Sequence, residues 1–157
     1  MKVNKEETWR DVVGFEGFYE VSDKGRIHSV ERRDSRGHRR RGRILKPKYN
    51  RGGYLTVNLC KNGKLKTKNV HRLVAETFLP NPNGLPQVNH RDEVKDNNNA
   101  ENLEWCDARY NSNHGTRNER MAQAQSKKVR AVNAKTGVVV EFNSTAEAGR
   151  KGYHCGV

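Results

Sequence analysis

Three of the chain's four prolines, Pro80, Pro82 and Pro86, fall within seven residues. Each removes a backbone donor and clashes with a preceding helical turn, so neither a helix nor a central strand can run through Leu79–Pro86. That segment is a loop dividing the chain into an earlier and a later part, each short. Only 32% of the 157 residues are hydrophobic and 31% are charged, which argues for several small modules and against one large core.

Before the loop the apolar period changes once. Phe18–Val21 and Arg26–Val30 alternate apolar and polar residues around Ser22-Asp23-Lys24-Gly25, the pattern of a β-hairpin. Tyr54–Cys60 and Leu65–Val70 repeat the pattern around Lys61-Asn62-Gly63-Lys64, whose Asn-Gly centre favours a tight turn. Together the hairpins predict one small antiparallel sheet. From His71 to Phe78 the period becomes helical, with Leu73, Val74, Thr77 and Phe78 able to share a face.

After the loop, Gln87–His90 reads as a short strand, Arg91–Glu101 as a polar Asn-rich loop, Asn102–Trp105 as a second strand, and Asp107 as the N-cap of a helix over Ala108–His114. Gly115–Lys128 is polar and helix-compatible, a basic linker helix. Val129–Ala134 and Val138–Phe142 around Lys135-Thr136-Gly137 predict a third hairpin, and Ser144-Thr145-Ala146-Glu147 has the form of a capping box opening a helix through Arg150. The fold class expected is α+β, in four pieces: an N-terminal β-rich module over 1–69, a ββα unit over 70–115, a linker helix over 116–128 and a C-terminal module over 129–157.

Charge excludes some functions. The formal net charge is +13 and the pI about 10.0, an excess that a polyanionic partner screens. Between Arg32 and Arg51, ten basic residues (Arg32, Arg33, Arg36, Arg39, Arg40, Arg41, Arg43, Lys46, Lys48 and Arg51) stand against the single acid Asp34. Arg117, Arg120, Lys127 and Lys128 add a second basic stretch. Such a run reads as a solvated, mobile loop, as a phosphate-binding arm, or as both. No apolar stretch nears the roughly 20 residues of a membrane span, and the polar N-terminus lacks a signal-peptide core, so a soluble cytoplasmic protein is expected. Cys60, Cys106 and Cys155 are odd in number and far apart, which predicts reduced thiols and neither disulfides nor a cysteine zinc site.

The ββα unit carries the chemistry. His90 ends the first strand, Asn102 follows twelve positions later, and Asn111 and His114 stand three apart on the helix, on one face. A neutral imidazole that takes a proton from water, beside a hard divalent cation held by oxygen and nitrogen ligands, is what phosphodiester hydrolysis requires. His28, His38, His71 and His154 read as ordinary structural or surface histidines, Asn97, Asn98 and Asn99 as turn formers, and Trp105 as packing between the second strand and its helix.

Val88-Asn89-His90-Arg91-Asp92, Asn97 through Trp105, and then Asn111 and His114 resemble the HNH endonuclease motif. Trp9–Ser22 with Lys24-Gly25-Arg26 is similar to the N-terminal DNA-binding module of bacteriophage HNH homing endonucleases, Val70–Ala75 to the helix that opens their nuclease domain, and Val138–Arg150 to a C-terminal module carrying a helix-turn-helix. The resemblance covers most of the chain from Thr8 to Arg150. It implies a ββα-metal nuclease with His90 as general base, Asn102 as the loop-fixing Asn, and Asn111, Asn89 and His114 holding one Mg²⁺ or Mn²⁺. It further implies duplex DNA as partner, a monomer or alternatively a dimer, the host cytoplasm as location, and basic modules that wrap the duplex. Two positions depart from the family pattern: Asn89 stands where an acidic ligand is frequent, and Glu93 where Gly is common after the Asp. Gly152–Val157 ends where a second, recognition-type helix would begin, so the C-terminal module is expected to be incomplete. Alternatives are a DNA-binding protein of the same architecture with little nuclease activity and, more weakly, an RNA-binding protein.

Overall fold

The computed structural model describes residues 6–34, 36–133 and 136–153, without the side chains of Arg117 and Gln125. Ala134, Lys135 and His154–Val157 lie outside the described residues, and with them the end of the strand expected to Ala134, Cys155 and the expected truncation point. The chain is mixed α and β, strand-rich with short helices, and divides into two compact units, residues 1–111 and 112–157.

The first unit opens with β1 (Trp9–Asp11), β2 (Tyr19–Ser22) and β3 (Ile27–Ser29), all antiparallel. Ser22 closes the β2–β3 turn by accepting from Arg26 N at 2.9 Å through its hydroxyl, and Gly25 takes φ +80°, which a side chain would resist. The arginine-rich stretch is not an unpaired loop. It forms four two-residue strands, β4 (Arg32–Arg33), β5 (Arg39–Arg40), β6 (Arg43–Ile44) and β7 (Lys48–Tyr49). β4 pairs with β5, β6 extends the first sheet in the order β1-β2-β3-β6, and β7 pairs with β8 (Leu55–Lys61), itself paired with β9 (Lys64–Asn69). The two hairpins expected in one sheet therefore stand in two, because the intervening basic strands pair onto the edge of each. In the β8–β9 turn Asn62 (φ 53°) and Gly63 (φ 73°) both adopt the left-handed conformation that a two-residue hairpin loop demands.

Helix α1 (Val70–Phe78) lies against β2, β8 and β11 (Leu103–Cys106), burying Val70, Leu73 and Val74 on one stripe. The proline loop follows, then β10 (Gln87–His90), which pairs with β11 in the register Asn89 to Glu104 and His90 to Leu103. The buried cluster is continuous: Phe15, Val21 and Ile27 from the first sheet and its turn, Val57 and Leu59 from the second, and Val88 and Leu103 belong to one cluster with Val70, Leu73 and Val74 of α1. Tyr19 bridges the two sheets, its hydroxyl accepting from Cys60 N at 3.0 Å and facing Cys60 O at 3.3 Å. Trp105 departs from expectation. Its indole N–H donates to Leu79 O at 3.3 Å, at the end of α1, rather than wedging its ring under the helix that follows its own strand, α2 (Ala108–Asn113).

The second unit holds α3 (Arg117–Gln125), β12 (Val129–Val132), β13 (Val139–Phe142) and α4 (Thr145–Arg150). Ser144 caps α4 by accepting from Glu147 N at 3.1 Å, while the Glu147 carboxylate accepts from Asn143 N at 3.0 Å. Phe142 and Ala148 are buried there, with the Tyr153 ring tilted against that of Phe142, centroids 4.9 Å apart. Among the described residues no helix is long and apolar enough to cross a membrane. Cys60 is exposed and Cys106 buried, both as free thiols.

Candidate active site

His90 is the last residue of β10 and is 4% exposed. Its ring lies 5.2 Å from that of His71 on α1 and 6.0 Å from that of Tyr54, which itself lies 5.0 Å from His71. Nε2 of His90 is 3.2 Å from Oδ1 of Asn98. Burial pushes the His90 imidazole below its ordinary pKa, while Asn98, Asp92 and Asp96 pull the other way. His71 is more strongly affected. Burial, and secondarily the neighbouring His90, push it down to about 4, and its Nδ1 has no hydrogen-bond partner among the described residues, so it sits neutral in the core.

The Asn-rich loop is tied by Asn102. This residue closes a 3-10 turn (Ala100–Asn102) rather than opening the second strand as expected, because its amide is engaged with the loop. Nδ2 donates to Asp92 Oδ1 at 2.8 Å and to Asn97 O at 2.9 Å, Oδ1 accepts from Asp92 N at 3.2 Å, and the backbone carbonyl accepts from Arg91 N at 2.8 Å. Asp92 also accepts from Asn97 Nδ2 at 2.6 Å, the leading cause of its lowered pKa. Glu93 takes φ +61°, the conformation a glycine would adopt without strain.

Asn89 points to the other face of β10 from His90, alongside Gln87. Its Nδ2 donates to Glu104 Oε1 at 2.9 Å across the strand pair, and Nδ2 of Asn111, on α2, donates to Gln87 Oε1 at 2.7 Å. Both amides donate to β10–β11 neighbours, which leaves the amide oxygen as the atom of each able to bind a cation. Glu104, ion-paired with Arg91 at 3.3 Å, places a carboxylate directly beside Asn89. Among the described residues no three His, Cys, Asp or Glu side chains cluster as a metal site. The donors here are neutral oxygens with one adjacent carboxylate, a set suited to a hard cation of the Mg²⁺ class and poor for zinc. Half-buried His114 follows α2 in the second compact unit, and within the first unit Asn111 joins β10 through Gln87, two residues from Asn89.

Comparison with known proteins matches residues 7–60 to the NUMOD4 motif and residues 68–113 to the HNH endonuclease family. The DNA endonuclease I-HmuI of Bacillus phage SP01 is 34% identical over 145 residues, covering 87% of this chain and 78% of that protein. The chain belongs to the HNH endonuclease family. An uncharacterized HNH endonuclease, L245, of Acanthamoeba polyphaga mimivirus is 36% identical over 133 residues, but the chain spans only 37% of its length. A solved structure described as DNA binding and cleavage by the HNH homing endonuclease I-HmuI matches with a TM-score of 0.56 at 29% identity, covering 96% of this chain and 93% of that one.

Within this HNH endonuclease, three residues near His90 escape sequence reasoning. Asn98 reads locally as a turn former, His71 as a packing residue and Tyr54 as a strand residue, yet all three surround the imidazole. A buried polar cluster was signalled only by the apolar company His71 keeps in Val70-His71-Arg72-Leu73-Val74. Of the basic residues, Arg32 is committed internally. Its guanidinium donates to Phe18 O, Val30 O and Ser29 Oγ at 3.0–3.2 Å and lies over the rings of Phe18 and Tyr19. Arg33 donates to Gly37 O, and Arg39 and Arg40 pair with Glu31 and Asp34. Arg36, Arg41, Arg43, Lys46, Lys48 and Arg51 are exposed.

Proposed function

We propose that this HNH endonuclease hydrolyses phosphodiester bonds of duplex DNA, with His90 as general base, Asn102 fixing the catalytic loop, and Asn89 and Asn111 holding one divalent cation, Mg²⁺ or Mn²⁺. The observation that carries the reading is the placement of a buried neutral imidazole at the end of β10, on the strand whose other face carries Asn89 and, through Gln87, holds Asn111 of α2. His90 takes the proton of the attacking water. The cation, when bound, supplies Lewis-acid stabilisation to the phosphate and to the departing 3′ oxygen. Asn102 holds the Asp92–Asn97 loop so that the His90 ring does not drift, and the single site of one chain nicks one strand per encounter.

The basic segment supports duplex binding. Arg43, Lys46 and Lys48 line one groove with Thr56 and Asn58 between the two N-terminal sheets. Arg36, Arg41, Arg43, Lys46, Lys48 and Arg51, each meeting one phosphate, give a slope near −5 in log affinity against log salt, or about a 10³-fold loss between 50 and 200 mM. Gel shifts across that range check it; a slope shallower than about −2 removes the segment from the interface. Arg120, Lys127 and Lys128 in the second unit, with Arg117, extend the same role to α3 and its flank.

The test of function is relaxation of supercoiled plasmid with Mg²⁺ or Mn²⁺ against an EDTA control. A second reading, DNA binding with little cleavage, rests on Asn89, whose amide adds no charge to the cation site. It predicts shifted plasmid without nicks under every metal. Asn89→Asp is expected to tighten Mn²⁺ binding to the DNA-free chain about tenfold, since ligand charge tunes the affinity of such sites. Isothermal titration reads this directly, and unchanged affinity would remove Asn89 from the ligand set.

A further inference from the structure

We infer that Asn98 is the residue that orients the His90 imidazole, and that the Ser22–Gly25 turn of the N-terminal sheet holds Asn98 in place. The inference rests on His90 being the general base.

Asn98 is 4% exposed, and a buried amide needs partners for both of its ends. Its Nδ2 donates to Asp96 O at 3.1 Å, which settles which end of the amide faces the histidine. The end 3.2 Å from His90 Nε2 is the oxygen, and an amide oxygen can only accept. Nε2 therefore carries the imidazole proton, and in a neutral ring the unprotonated nitrogen is Nδ1. Proton abstraction from water falls to Nδ1, and the ring cannot turn over without losing its hydrogen bond. The role is one of position and tautomer; Asn98 touches neither substrate nor metal.

Asn98 is held from behind. An added Cβ at Gly25 would lie 2.8 Å from Asn98 Cβ and 3.0 Å from Asn98 O, so the turn and the catalytic loop are in contact closer than any side chain permits. Two residues on, Ala100 N donates to Asp23 O at 2.7 Å. The turn is in turn fixed at Asp23, whose N donates to Thr8 O at 3.0 Å and whose Oδ1 accepts from Thr8 N at 3.1 Å. On the loop's other flank Tyr49 donates to Asp96 Oδ2 at 2.8 Å and Lys95 to Gly52 O at 2.8 Å. Asn98 is thus clamped between a glycine of the N-terminal sheet and the histidine it orients. The first strands are a structural part of the catalytic geometry in addition to any DNA they hold.

The test uses the full chain. Nitrogen NMR of ¹⁵N-histidine-labelled, metal-free protein reports the tautomer of each imidazole, with His90→Ala assigning the signal. Wild-type His90 is expected as Nε2–H. Asn98→Ala should give a mixed tautomer and single-turnover nicking about 10- to 100-fold slower, with duplex affinity in gel shifts unchanged. Asn98→Asp, which retains an acceptor, should recover part of the rate. Gly25→Ala should slow nicking although it alters no polar side chain. A wild-type His90 carrying Nδ1–H overturns the proposal even if Asn98→Ala fails to fold, and so does Asn98→Ala nicking at the wild-type rate. If His90→Ala nicks like wild type, the base assignment itself fails; if His90→Ala is inactive while Asn98→Ala is fully active, only the positioning role does.

Discussion

His90→Ala is expected to slow plasmid nicking by about 10²- to 10⁴-fold, the usual worth of a positioned general base. Duplex affinity should hardly change. His90 is buried among Tyr54, His71 and Asn98 and offers phosphates no exposed charge, whereas the basic segment presents exposed cations from Arg36 to Arg51. The substitution leaves a ring-sized gap in the core, so melting curves must accompany the rates. A folded His90→Ala protein that shifts DNA but does not nick it isolates the chemistry from the binding. One that nicks at the wild-type rate removes His90 from the mechanism.

Acid should destabilise the first unit through His71. In the folded chain its pKa lies at about 4, against 6.5 when unfolded, so between these values the unfolded chain binds the extra proton. Stability is then complete above about pH 6.5 and falls as the pH drops toward 4. The shift corresponds to about 3 kcal/mol over that window, a large fraction of the stability of a domain this size. His90, whose pKa is also lowered by burial, acts with the same sign. Urea midpoints for wild type and His71→Phe at pH 7.0 and 4.5 measure the effect. The substitution should flatten the pH dependence, and an equally steep fall in both proteins would place the acid sensitivity elsewhere.

Local pattern made a good part of this architecture legible. The Asn62-Gly63 turn, the change of period at α1, the proline break and the capping box at Ser144 each follow from backbone rules that act within a few residues. The relation of His90 to Asn102 was readable because a long loop between paired strands must be tied near its ends. What escaped depends on contacts across long separations. That Asn98 faces His90 rather than solvent is decided by Gly25, more than seventy positions earlier, and nothing around Asn98 records it. The arginine-rich stretch misleads for a related reason: β6 and β7 exist because β3 and β8 offer open edges, a property of the partners rather than of the segment. Trp105 turns to α1 because the proline loop returns Leu79 O to its indole, a geometry set by the loop's path.

The continuous apolar cluster on which α1 sits has a practical meaning for anyone recombining such enzymes. Cutting at the seam between the two matched families, near residue 68, would strip Val70, Leu73 and Val74 of Val21, Ile27, Val57 and Leu59 and leave two greasy halves. Specificity transplants between relatives therefore belong in the second unit, whose small core of Phe142 and Ala148 is its own.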